Sequence, residues 1–184
     1  MSRILLVDDE ANILTALRRC LMARDDFDDT VPDYQLDAFT SPQAALKAAE
    51  LNEYELVVSD YRMPEMDGVR FLTELRYIQP DCISLILSGM TDLDGLVRAI
   101  NQASIHRFIS KPWNDIELRA SVTGALAQRR LQLENQRLAD EVRQLHTRAS
   151  NQAAELARLE RESPGITKVQ WGPDGSVLLD DDIA

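Results

Sequence analysis

The feature that most constrains this chain is a repeated alternation of apolar run and helical stripe, with acidic, hydroxyl or lysine side chains closing the runs. Ile4-Leu5-Leu6-Val7 is unbroken apolar sequence, as expected of a strand buried on both faces. Ile13, Leu14, Leu17 and Leu21 then recur at helical spacing within Ala11 to Ala23. Tyr34 to Phe39 reads as a second strand. Ser41-Pro42 caps and starts a helix through Leu51, with proline at the first helical position. Leu56-Val57-Val58 is a third buried run, and Val69, Leu72, Leu75 and Ile78 form a stripe ended by Pro80. Ile83 to Leu87 is a fourth strand, Leu93 to Ile100 a fourth helix and Ile105 to Ile109 a fifth strand, after which Asn114 caps a fifth helix. Five such repeats predict an α/β fold: a parallel sheet with helices on both faces, whose sites form at the carboxyl ends of the strands.

Those ends carry chemistry. Strand one closes on Asp8-Asp9 with Glu10 behind, strand three on Asp60, strand four on Ser88 and Gly89, and strand five on Ser110-Lys111-Pro112. Singly, each has a plain reading as a cap, a turn or a solvated loop. Together, each at the end of its own strand, they argue for a site. Three converging carboxylates repel one another and raise some of their own pKa values. A hard divalent cation relieves this, and Mg²⁺ takes oxygen ligands. A carboxylate not wholly used by the metal serves as a nucleophile on phosphorus. Lys111 would hold phosphoryl oxygens as a point charge, and the Ser88 hydroxyl would donate to another.

The stretches Ile4-Leu5-Leu6-Val7-Asp8-Asp9-Glu10, Val57 through Gly68 (with Asp60-Tyr61-Arg62-Met63-Pro64), Leu87-Ser88-Gly89 and Phe108-Ile109-Ser110-Lys111-Pro112-Trp113 resemble the receiver domain of bacterial two-component response regulators. The resemblance covers about residues 1–127. The ending Phe108 to Trp113 is also similar to receivers attached to HD-GYP phosphodiesterases. It implies a flavodoxin-like, doubly wound five-stranded parallel sheet. It implies Asp60 as phosphoacceptor, with Mg²⁺ held by Asp8, Asp9, Asp60 and the backbone carbonyl of Arg62. Lys111, preceding a cis peptide to Pro112, and Ser88 would bind the phosphoryl group. Ser88 and Phe108 would be the switch pair, the aromatic turning inward as the hydroxyl moves, with helix four, strand five and helix five reporting the change. A histidine kinase is the implied phosphodonor. The chain departs from the pattern in places. Ser88 stands where threonine is commoner, and Phe108 where tyrosine is common. Arg62 and Met90 flank the phosphate, which leads us to expect slow dephosphorylation. The segment Arg24 to Asp33 is longer than usual for the family and reads as a solvated loop.

Charge and period divide the chain further. The net charge is −11, with 12 Lys and Arg against 21 Asp and Glu in residues 1–127, 7 against 6 in 128–162, and 1 against 4 in 163–184. We therefore read a receiver over 1–127, a coiled-coil helix over 128–162 and a short hairpin tail over 163–184. Leu131, Asn135, Leu138, Val142, Leu145, Ala149, Gln152, Leu156 and Leu159 alternate spacings of four and three, a heptad seam with Leu at most d positions. Asn135 falls at an a position, where a buried Asn sets register in a parallel pair. Glycine and proline are absent from Ala125 to Ser163, so helix five is expected to run on into this stalk, which at 35 residues reaches about 50 Å. A parallel homodimer is the expected partner state, the alternative being a helix folded back on its own receiver. The flanking pairs Glu134–Ala139, Glu141–His146 and Glu155–Glu160 add little, and His146 reads as a solvated flank. In the tail, Ile166 to Trp171 and Ser176 to Leu179 alternate about Gly172-Pro173-Asp174-Gly175, a hairpin signal. Trp171 is its expected anchor.

Other classes fit less well. The acidic balance argues against a nucleic-acid partner. The apolar runs are too short to cross a bilayer, and the first residues form no leader, so a membrane is not expected and a cytoplasmic setting is. Cys20 and Cys82 make neither a disulfide framework nor a zinc site. A haloacid-dehalogenase-like phosphatase would want Asp-x-Asp at the first strand's end, and no G-x-G-x-x-G follows that strand for a dinucleotide. A DNA-binding regulator with an unrecognised tail is the remaining alternative. The expected output is through an unknown downstream protein, with no enzymatic turnover beyond the chain's own phosphorylation and dephosphorylation.

Overall fold

The computed structural model describes residues 2–23, 33–89, 105–163, 170–171 and 177–178. The helix expected over Leu93 to Ile100, most of the segment Arg24 to Asp33, Met90 and the turn Gly172 to Gly175 lie outside them.

Five strands form one sheet: β1 (Ser2–Val7), β2 (Tyr34–Phe39), β3 (Leu56–Asp60), β4 (Ile83–Gly89) and β5 (Arg107–Lys111), in the order β2-β1-β3-β4-β5, every pair parallel. This is the flavodoxin-like order, in which the chain reverses direction of build between β1 and β3 and leaves a crevice at that point. The helices are α1 (Ala11–Met22), α2 (Pro42–Leu51), α3 (Gly68–Ile78) and α4 (Asp115–Glu162), the last corresponding to the fifth helix expected from the sequence.

Period-two alternation divides the strands between two cores. Ile4, Leu6, Leu56, Val58, Leu85 and Leu87 face Leu14, Leu17 and Leu21 of α1 and Leu118 and Val122 of α4. Their neighbours Leu5, Val7, Val57 and Ile86 face Ala45 and Ala49 of α2 and Phe71, Leu72 and Leu75 of α3. Both faces are covered, which is why the central strands read as continuous apolar runs.

Two boundaries differ from expectation. β5 lies two residues later than Ile105 to Ile109, because its pairing with β4 runs from Leu85↔Arg107 to Gly89↔Lys111, with the His106 N–H donating to the Ser84 carbonyl at 2.9 Å. β4 continues through Gly89, so Ser88 belongs to the strand itself.

The chain divides into two compact units, Met1–Gln132 and Leu133–Ala184. In the first, α4 buries Leu118, Ser121, Val122, Ala125 and Leu126. In the second, Leu138, Val142, Leu145 and Leu156 are exposed. Gln170↔Leu178 and Trp171↔Val177 pair as an antiparallel ribbon of β6 (Gln170–Trp171) and β7 (Val177–Leu178), and the other residues of the expected hairpin lie outside the described ones. No described helix is long and apolar enough to cross a membrane.

Candidate functional site

The site forms where β1, β3 and β5 end. Asp8 follows the last residue of β1 and is fully buried. Its Oδ1 accepts from the Glu10 N–H at 2.9 Å and its Oδ2 from the Lys111 ammonium at 2.7 Å. Asp60 is the last residue of β3 and 6% exposed. Its Oδ1 stands 2.5 Å from the same ammonium, and its Oδ2 accepts from the Arg62 N–H at 2.8 Å. Lys111 closes β5, 103 residues from Asp8 in sequence, and precedes a cis peptide bond to Pro112. Register makes the meeting possible: Asp60 pairs with Leu87, and Lys111 with Gly89 two residues further along the same strand.

The electrostatics are lopsided. Burial pushes the Asp8 carboxyl above its ordinary pKa, because lost hydration outweighs the help from Lys111. Burial also works against the Lys111 ammonium, yet the bonds to Asp60 and Asp8 outweigh it and raise its pKa. Both values rise, which disfavours the charged carboxylate of Asp8 but favours the charged ammonium: burial leads at Asp8, whereas two carboxylates together outweigh it at Lys111. The cluster retains a negative excess in a poorly solvated place.

Ser88 is buried beside this cluster in β4, its Oγ donating to the Gly89 carbonyl at 3.3 Å. Phe108, on β5, is half-buried against the core shared with α2 and α3. Asp9 is exposed and stands outside the ammonium-bridged pair. Among the described residues no three acidic, histidine or cysteine side chains gather closely enough to hold a metal by themselves. Two carboxylates are therefore what the fold gathers directly. They offer only hard oxygen donors with unmatched negative charge, a set that suits Mg²⁺.

Residues without an assigned role in the sequence reading shape the site. Gly68 starts α3 with its N–H on the Tyr61 carbonyl at 2.9 Å, and a Cβ there would stand 2.1 Å from the Asp60 carbonyl oxygen. Ser59, buried, donates to that same oxygen at 3.0 Å. The Arg62 amide holds Asp60, where the sequence suggested only its carbonyl. Asp67-Gly68 stands in the stretch that resembles a receiver, but nothing in the linear sequence shows the close approach behind it.

Residues 4–123 match the Response regulator receiver domain family. The chain belongs to this family. As a receiver it is 35% identical over 133 residues to the hydrogenase transcriptional regulatory protein HoxA of Bradyrhizobium diazoefficiens, covering 72% of this chain and 26% of that protein. It is 31% identical over 165 residues to the cyclic di-GMP phosphodiesterase response regulator RpfG of Xanthomonas campestris, covering 84% of this chain and 42% of that protein. The chain thus spans less than half the length of either relative. Among solved structures it is similar to the signal receiver domain of an HD domain-containing protein from Pseudomonas fluorescens, with 32% identity and a TM-score of 0.64 over 72% of this chain and 92% of that one. The chain thus carries the receiver domain of a two-component response regulator, and receiver domains are generally signalling domains.

Proposed function

We propose that this receiver accepts a phosphoryl group on Asp60 from a histidine kinase, with Mg²⁺, and passes the change to a downstream protein through a dimeric stalk and its tail. The observation that supports this reading most is the pair of buried carboxylates, Asp8 and Asp60, gathered on one ammonium at the carboxyl edge of the sheet. Asp8, Asp9, Asp60 and the Arg62 carbonyl would hold Mg²⁺, which would supply positive charge against the phosphoryl oxygens. Asp60 attacks the phosphorus of a phosphohistidine. A phosphorus–oxygen bond forms, the phosphorus–nitrogen bond breaks, and the imidazole leaves with its electron pair and takes up a proton. The Arg62 N–H stays on the spectator oxygen and holds the carboxylate in place. Lys111 moves from pairing two carboxylates to pairing the phosphoryl oxygens. Ser88 exchanges its bond to the Gly89 carbonyl for a phosphoryl oxygen, and Phe108 turns inward into the space this opens.

The test is phosphorylation by a small phosphodonor with Mg²⁺, read by intact mass. One phosphoryl group is expected on the wild type, and none on Asp60→Asn or after chelation of the metal. Unchanged labelling of Asp60→Asn would place the acceptor elsewhere. Slow loss of the label, over minutes or longer, is expected from Arg62 beside Asp60. Sustained turnover of a phosphate ester would instead favour a phosphatase.

A further inference from the structure

The second unit presents an apolar stripe along α4: Leu138, Val142, Leu145 and Leu156 are all roughly half exposed. With a second copy as occupant, as proposed above, the seam and its flanks set the direction of pairing. In a parallel pair each seam residue meets itself. Ala149 then faces Ala149 and Gln152 faces Gln152 in successive layers, which leaves a weak middle. The flank pairs Glu155 with the partner's Glu160, a repulsion present twice by symmetry.

The reversed arrangement removes the two weak layers, Ala149 on Ala149 and Gln152 on Gln152. Antiparallel helices bring a positions opposite d positions. One register sets Leu131 against the partner's Leu156 and Val142 against the partner's Leu145. The same register sets Leu138 against the partner's Ala149, large against small. It also sets Asn135 against the partner's Gln152, so the polar seam residues meet each other and satisfy their amides together. On the flank, Glu141 comes opposite the partner's Arg148, an attraction that occurs twice. The unfavourable flank contact sets Glu134 against the partner's Glu155, and it too occurs twice. Each of these is already ion-paired at 2.7 Å within its own helix, to Arg137 and Arg158. Shifting the register by a heptad either way places Asn135 against leucine.

We infer that two copies of this chain pair through α4 as an antiparallel coiled coil, with Asn135 facing the partner's Gln152 and Glu141 facing the partner's Arg148. The inference rests on the dimer reading, and the overlap from 131 to 156 puts the two Leu131 positions about 37 Å apart.

Cysteine cross-linking of the full chain separates the outcomes. Leu131→Cys and Leu156→Cys chains are mixed, refolded together and oxidised, with cross-linked peptides mapped by mass. Burial holds the native Cys20 and Cys82 thiols at about 11 and about 12, so they compete poorly near neutral pH. A bond between positions 131 and 156, formed only in the mixture, is the expected result. Leu131→Cys bonding to itself overturns the antiparallel arrangement while the dimer stands. A monomer in sedimentation overturns both. A second measurement leaves the apolar seam intact. Arg148→Glu should weaken the dimer about tenfold, since two attractions become repulsions, and Glu141→Arg in the same chain should restore it. In a parallel pair position 148 faces the partner's Ala153, so an unchanged dimer in Arg148→Glu overturns the inference.

Discussion

A Cβ on Gly68 would stand 2.1 Å from the backbone oxygen of the proposed phosphoacceptor Asp60, and the obstructing atoms are backbone rather than a yielding side chain. Gly68→Ala must therefore displace the start of α3 or the end of β3. We expect it to cost about 2 kcal/mol in urea unfolding, as overpacking does, and to slow labelling of Asp60. An alanine variant as stable and as quickly labelled as the wild type would show that the loop yields freely. Tyr54 gives a pH-dependent prediction at the same scale. Its hydroxyl donates to the Asp37 carboxylate at 2.9 Å, and burial followed by that acid pushes its pKa from 10 up to about 12. A folded pKa above the unfolded one means the contribution is complete below pH 10 and is lost as pH rises through 12. Urea midpoints should fall across that interval, and Tyr54→Phe should flatten the fall. An identical slope in the variant would assign the loss to other groups.

At the scale of elements, each described helix of the sheet layer after α1 starts on a side-chain cap. Ser41 accepts from the Ala44 N–H at 3.4 Å, Asp67 from the Arg70 N–H at 2.8 Å, and Asn114 from the Ile116 and Glu117 N–H groups at 2.9 and 3.2 Å. Ser41 and Asn114 are legible as caps because their donors lie two or three residues on, while the structure adds Asp67 to them. Asn114→Ala should destabilise the first unit by about 1 kcal/mol, read as a shift of the unfolding midpoint at constant slope. No shift would mean another donor or acceptor replaces it. The ends of β4 and β5 were less legible, since neighbouring strands decide where a ladder stops. Ile105, apolar and buried, looked like strand by composition, but the β4 register begins β5 at Arg107.

For the whole molecule, the division after Gln132 separates a unit with two apolar cores from one whose described helix residues are almost all exposed. A chain ending at Gln132 should fold, take up a phosphoryl group on Asp60 and sediment as a monomer, while the full chain is a dimer. A dimeric truncated chain would place the association on the receiver and remove the stalk from the proposal. Arg129 lies just inside this unit, its Nε donating to the Asp81 carbonyl at 2.8 Å and one terminal nitrogen 3.5 Å from Glu55, so the last turns of α4 in the receiver are tied to the amino end of the sheet.

The sequence by itself determined the alternation of strands and helices, the two-sided burial of the central strands, the helix caps and the heptad spacing of the stalk. All of these depend on neighbours within a turn or two of chain, and periodicity reports them. It also singled out Asp8, Asp9, Asp60, Ser88 and Lys111, because the ends of parallel strands share one edge. Tertiary structure alone decided that Lys111 bridges Asp8 and Asp60 while Asp9 stays exposed, and that Gly68 must lack a side chain. It also decided that the Gln79 carboxamide joins Ala49, Asn52 and Tyr54 beneath the sheet. Those contacts span between 8 and 103 residues, and sheet register and helix packing set which atoms meet. A linear pattern records which side chains are present at an edge, and only the packed fold sets which of them share a proton donor.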